Sequence, residues 1–284
     1  MPLPFQRKRQ AERILAKLLD GSDPPALPAV TMKILGRLRD PDVEFDDIAE
    51  SLSWDPALTV KVLGTVNSAA YAPTQPIHDV RQALTYLGRN ALEQIVLAVA
   101  AQATLPSEPA PGFEPKRFWH TAARRAALGR VFAERLHPSR AGEAFTAALL
   151  LDLAVPVMAH GMGERYGRVL EQWHASSSTT DLTALELKAL GVTHARVGSL
   201  LAQSWELPDA LVKSIAGHHD TTLGEAAILP AVRLIANARE VEPENAAEHL
   251  IEVARSEYGL DPDWTQAAIE SSEVAAVELA RQLS

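Results

Sequence analysis

The sequence predicts an all-α protein, and three observations carry that reading. Apolar residues recur at helical spacing along nearly the whole chain, whereas the alternation of a half-buried strand is scarce. Proline, glycine, aspartate and asparagine fall between the periodic stretches, where they start or stop helices. The 284 residues are 47% hydrophobic and 22% charged, an ordinary globular balance for a chain long enough to build more than one core.

Taken in order, residues 1–23 read as an N-terminal helix or extension. Val30, Ile34, Leu35 and Leu38 then mark one amphipathic face, closed by Asp40-Pro41. Phe45, Ile48, Ala49 and Leu52 mark a short helix, and Asp55-Pro56 starts another, with aspartate as cap and proline at the first helical position. Asn67 ends that helix by bonding nearby backbone, a residue type that tolerates the left-handed region. Residues 68–78, with Pro73 and Pro76, form a loop; Asp79 caps the next helix and Gly88 stops it. Leu92, Ile95, Val96 and Val99 stripe a longer helix.

Four prolines and Gly112 fall within residues 106–115, a linker no helix can cross. It divides an N-terminal lobe, 24–105, from a second helical lobe, 116–240. Helices are expected there near 116–136, 142–160, 163–174, 181–190, 194–205, 208–219 and 225–240. Two acidic amphipathic segments, near 244–258 and 263–283, complete the region 241–284. Ile269, Ala276, Val277 and Ala280 are their candidate apolar positions for a partner or for self-association.

Composition excludes several functions. No cysteine is present, which removes disulfides, thiolate metal sites and cysteine nucleophiles, so any metal must sit on nitrogen and oxygen ligands. A net charge of −9 argues against a broad nucleic-acid surface. The stretch 90–104 follows a turn at Gly88 as a recognition helix would, yet it carries Glu93 and no lysine or arginine for phosphates and base edges. Residues 1–10 lack the apolar core of a secretory signal, and the apolar runs 95–101 and 147–151 are short of a membrane span. The expectation is a cytoplasmic protein without membrane or nucleic-acid partners.

Several spaced motifs then carry a resemblance. Leu27-Pro28-Ala29-Val30, Asp55-Pro56-Ala57-Leu58-Thr59, Val66-Asn67-Ser68-Ala69-Ala70-Tyr71 and the segment from Ile77 to Gly88 resemble the HDOD family, a branch of the HD superfamily of metal-dependent phosphohydrolases. The match runs over roughly residues 24–240. The family is regarded mostly as signalling modules, so the resemblance implies a regulatory function.

The same resemblance supplies a set of site candidates. His120 stands in Phe118-Trp119-His120, similar to the first-histidine motif. Leu151-Asp152 resembles the His-Asp pair with leucine in the histidine's place. His194 and the pair His218-His219 resemble motifs that some branches use for a second metal, and Asn237 lies where the final aspartate is expected. Leu151 has no lone pair, and Asn237 is neutral, so two of four core ligands are lost. Catalysis by the superfamily's route is therefore not expected, and neither is a bound cofactor or metal.

Two readings of the remaining residues stay open. Asp152, His194, His218 and His219 can assemble a divalent-metal site of the second type. Alternatively each has an ordinary place: His120 as a core histidine, His194 in a first helical turn after the cap Thr193, and His218-His219 at a helix C-terminus that favours imidazolium. Adjacent residues project about 100° apart on a helix, which argues against both histidines reaching one ion. Asp152 after an apolar run needs a partner, either His120 or an arginine. Arg124, Arg125, Arg130 and Arg135 follow His120, as a phosphate or acidic-protein contact or as a solvated face paired with Glu134. The function expected is a non-catalytic regulatory module that recognises a protein partner or a small regulatory ligand. The alternative is a residual metal-dependent phosphohydrolase acting on a nucleotide or cyclic dinucleotide.

Overall fold

A computed structural model describes residues 4–19, 21, 23–175, 181–220, 230–238 and 243–283, and it is all-α. Among the described residues the only β-type pairing is an isolated bridge between Ala110 and Phe113 in the proline-rich linker. The N-terminal lobe comprises α2 (Ala29–Arg39), α3 (Phe45–Ser53), α4 (Pro56–Val66), α5 (Val80–Leu87) and α6 (Arg89–Thr104). The helix α6 is its axis, with Leu92, Ile95, Val96, Val99 and the alanines between them buried against α2, α4 and α5.

The expected caps are present. Asp55 accepts from the Leu58 amide at 3.0 Å, and Asp79 from the Gln82 amide at 2.8 Å. Gly88 ends α5 with φ of 78°, a conformation that favours glycine. Asn67 does cap α4, but from right-handed backbone (φ −84°). Its amide donates to the Leu63 and Ile77 carbonyls, and its Oδ1 accepts from the Ile77 amide at 2.8 Å, so it staples the loop after α4 shut.

The second lobe is laid on α7 (Pro115–Leu136), which packs against α8 (Ala141–Leu150). Beyond α8 come α9 (Ala154–Met162), α10 (Glu164–Ala175), α11 (Leu182–Leu190), α12 (His194–Ser204), α13 (Asp209–Gly217) and α14 (Pro230–Ala238). The single helix expected over 142–160 is in fact two, separated by a turn at 151–153. Pro156 is the physical reason: it has no amide hydrogen to donate, and its ring clashes with the carbonyl of residue 152 in a continuous helix. The break falls on Leu151-Asp152.

The stretch Pro138–Met162 is long and apolar enough to cross a membrane, contrary to the short runs noted above, and 89% of its most apolar window is buried inside the fold. That burial is what a core helix pair requires.

The chain ends tie the lobes together. The N-terminal helix α1 (Pro4–Leu18) packs on α12, and the Trp205 indole donates to the Pro25 carbonyl at 2.7 Å. At the other end come α15 (Pro243–Tyr258) and α16 (Pro262–Leu283); the latter lies along α7 and also touches α4 and α6. The α16 helix is thus not a free amphipathic helix. Ile269 and Ala276 are buried within the chain, and of the four candidate contact positions Val277 is the one left exposed.

Candidate functional site

Asp152 lies at the break between α8 and α9, and the turn aims its carboxylate into the middle of the second lobe. It is 3% exposed, more deeply buried than its position at the end of an apolar run suggests. A buried carboxylate needs partners, and it has them on both oxygens. Its Oδ2 accepts from the guanidinium of Arg125 on α7 at 2.7 Å, and Arg125 is 4% exposed. Its Oδ1 faces His194 Nε2 and His218 Nε2, each at 3.4 Å.

Three histidines close on that oxygen. His194 opens α12, where Thr193 supplies the cap by accepting from the Arg196 amide at 3.2 Å. His218 is the residue that terminates α13, and His219 follows it. The nitrogens His194 Nε2 and His218 Nε2 are 3.2 Å apart, and His219 Nε2 lies 3.0 Å from His194 Nε2. Asp152, His194, His218 and His219 each offer one ligand atom, and all four atoms fall within 4.8 Å of one another. The expectation that adjacent His218 and His219 do not both reach one site is corrected here: at the end of α13 each brings a ring nitrogen into the cluster, their ring centroids 4.2 Å apart.

The far side of each buried ring fixes its hydrogen. His218 Nδ1 lies 2.8 Å from the Ile215 carbonyl, an acceptor only, so Nδ1 carries the hydrogen and Nε2 keeps its lone pair. His194 Nδ1 sits 2.9 and 3.0 Å from the two oxygens of Glu186 on α11. Burial opposes charging His194, but the Glu186 and Asp152 carboxylates overcome it and hold its pKa up at about 9. Burial pushes His218 down to about 3, with the neighbouring histidines adding to the effect.

The remaining candidates lie elsewhere. His120 is exposed on α7 and is neither a core histidine nor part of the cluster. Arg125, five residues further, is turned by roughly 140° on the helix and reaches inward in its place. Leu151 is fully buried among the apolar core residues. Asn237 belongs to α14, but its side chain lies outside the described residues. The arginines divide: Arg125 is buried, Arg124 pairs with Glu273 of α16, and Arg130 donates to the Ala70 carbonyl and pairs with Glu134. Arg130 meets the expected pairing with Glu134. Glu186 and Tyr166, both buried, are parts of the site that sequence reasoning missed; a lone glutamate within an amphipathic helix gives no signal of its burial.

The arrangement can hold one divalent ion. Ligands about 2.0–2.2 Å from an ion at tetrahedral angles lie roughly 3.3–3.6 Å apart. Four of the six separations, 3.0–3.4 Å, are close to that edge, and all six fall within 4.8 Å. Three imidazoles and one carboxylate suit zinc and similar nitrogen-preferring ions.

The site thus brings three histidines and an aspartate together at a helix break in an all-helical fold. The comparisons give the family. The HDOD domain family matches residues 25–221, and the chain belongs to it. A protein of uncharacterised function from Treponema pallidum (strain Nichols) is 26% identical over 246 residues, 84% of this chain and 46% of that protein. The chain thus spans about half the length of that relative. Two solved structures share the fold closely. One is a candidate phosphohydrolase of Shewanella amazonensis SB2B (TM-score 0.75, 22% identity, covering 95% of this chain and 98% of that one). The other is an HDOD domain protein of unknown function from Geobacter sulfurreducens (TM-score 0.72, 23% identity, covering 98% and 97%). A candidate signal-transduction protein of Marinobacter aquaeolei VT8 matches with a TM-score of 0.71 at 19% identity, covering 99% of this chain and 65% of that one.

Proposed function

We propose that this chain is a non-catalytic HDOD regulatory module, recognising a protein partner or small regulatory ligand, in which the HD centre persists as a closed four-ligand cluster. The observation that carries this reading is the division of the Asp152 carboxylate. One oxygen faces the histidines, and the other is held by the buried Arg125 guanidinium at 2.7 Å. A carboxylate that bridges two ions needs both oxygens, and here a fixed cation occupies the second. Leu151, buried where the pair's histidine would stand, removes a further ligand. With three histidines and Asp152 the shell of a tetrahedral ion is already filled by protein, whereas catalytic sites keep a position for water. When bound, such an ion supplies cross-linking between α12, α13 and the α8–α9 break.

A second reading, a residual metal-dependent phosphohydrolase acting on a nucleotide or cyclic dinucleotide, draws support from the same four ligand atoms. The fold does not choose between the two readings, since the similar structures carry both phosphohydrolase and signal-transduction names. Turnover chooses. Tag-free protein loaded with zinc or manganese is expected to leave bis(p-nitrophenyl) phosphate and cyclic dinucleotides intact beyond the rate of metal-containing buffer. Hydrolysis that disappears in Asp152→Ala would establish the second reading instead.

A further inference from the structure

We infer that Glu186 is the positioning residue of the cluster, fixing the His194 ring so that its Nε2 lone pair is presented to a single zinc-class ion. The inference rests on the metal-holding part of the proposed function and adds a residue that no ligand motif contains. Glu186 is fully buried on α11, one turn after buried Leu182. Thr193 caps the Arg196 amide of α12, while Glu186 takes up a second first-turn amide, that of His194, and goes beyond capping by also reaching the His194 ring. Its Oε2 accepts from the His194 backbone amide at 2.8 Å and from the ring Nδ1 at 2.9 Å. Its Oε1 lies 3.0 Å from the same Nδ1 and accepts from the Tyr166 hydroxyl of α10 at 2.6 Å.

Backbone and ring of His194 are thus gripped by one carboxylate, which Tyr166 holds from behind. An ionised carboxylate only accepts, so the ring hydrogen sits on Nδ1 and Nε2 points at Asp152, His218 and His219. The negative charge beyond the ring also raises the basicity of Nε2 toward a cation. Carboxylates placed behind metal-bound histidines act in this manner, and losing one weakens binding roughly 10–100-fold. Glutamine at 186 keeps the shape but removes the charge, and its amide can accept or donate.

Zinc affinity measured by competition with a chromophoric chelator tests this, with far-UV circular dichroism as the control for folding. Wild type is expected to bind one zinc per chain, and Glu186→Gln to bind roughly 10–100-fold more weakly with helicity unchanged. Cobalt-loaded Glu186→Gln should also show an altered visible spectrum. A loss smaller than about tenfold in the folded variant overturns the role of Glu186. If wild type binds no zinc, the cluster is not a metal centre, and it is the underlying reading that fails. Long-range ¹H–¹⁵N spectra of zinc-loaded wild type need no variant at all. They are expected to place the His194 hydrogen on Nδ1 and the metal on Nε2, and the opposite assignment overturns the inference.

Discussion

Arg125 and Asp152 form a buried ion pair between α7 and the α8–α9 break. Both are nearly inaccessible, so removing one partner deprives the other of its ion pair at a buried site. Arg125→Met is expected to lower unfolding free energy by about 3–5 kcal/mol in chemical denaturation. The double variant Arg125→Met/Asp152→Leu should recover much of that loss, because neither member of the ion pair is left without the other. If the double variant is as unstable as the single one, the broken ion pair is not the cause.

Individual residues were legible in the sequence to an uneven degree. The need of Asp152 for a partner could be read from the apolar run before it, and an arginine was one of the two options. His120 was the other, and its exposure shows why a motif position is weaker than a helical angle: five residues separate it from the side chain that turns inward. Glu186 carried no pattern to read. Its role exists only because three helices meet around it.

At the scale of elements, the site is made by helix ends. Asp152 sits at a proline-induced break, His194 at a start, and His218 at a stop. The sequence marked the start through Thr193 and placed the stop at His218-His219. The break was missed because Pro156 lies inside an otherwise continuous apolar run. Close approach of α12 to α13 keeps the ends together: a Cβ added at Gly198 would lie 2.9 Å from the Ile215 side chain, four residues after His194. Gly198→Ala should therefore push the two helices apart, with a cost of about 1–3 kcal/mol in thermal or denaturant unfolding. An unchanged midpoint would mean that the contact relaxes freely. In the other lobe, Asp55→Ala removes the cap of α4 and should cost about 1 kcal/mol by the same measurement.

For the whole molecule, the all-α class was legible from periodicity and composition alone. The way the lobes are joined was not. Amphipathic spacing identifies a face to be buried but not the element that buries it, so α16 could equally have been a docking helix. Instead it lies along α7 and reaches α4 and α6, with Leu279, Ala276 and Ile269 buried. A chain truncated after residue 260 should expose the α7 surface around Phe132 and lose its cooperative thermal transition. A sharp wild-type-like transition would show that α16 is dispensable.

The closed four-ligand cluster proposed above is tested most directly by X-ray absorption on the zinc-loaded, tag-free protein. Four protein ligands are predicted, three of them imidazoles from His194, His218 and His219 and the fourth an oxygen of Asp152. A shell that contains an exchangeable water oxygen would contradict the claim and return the site to the hydrolases.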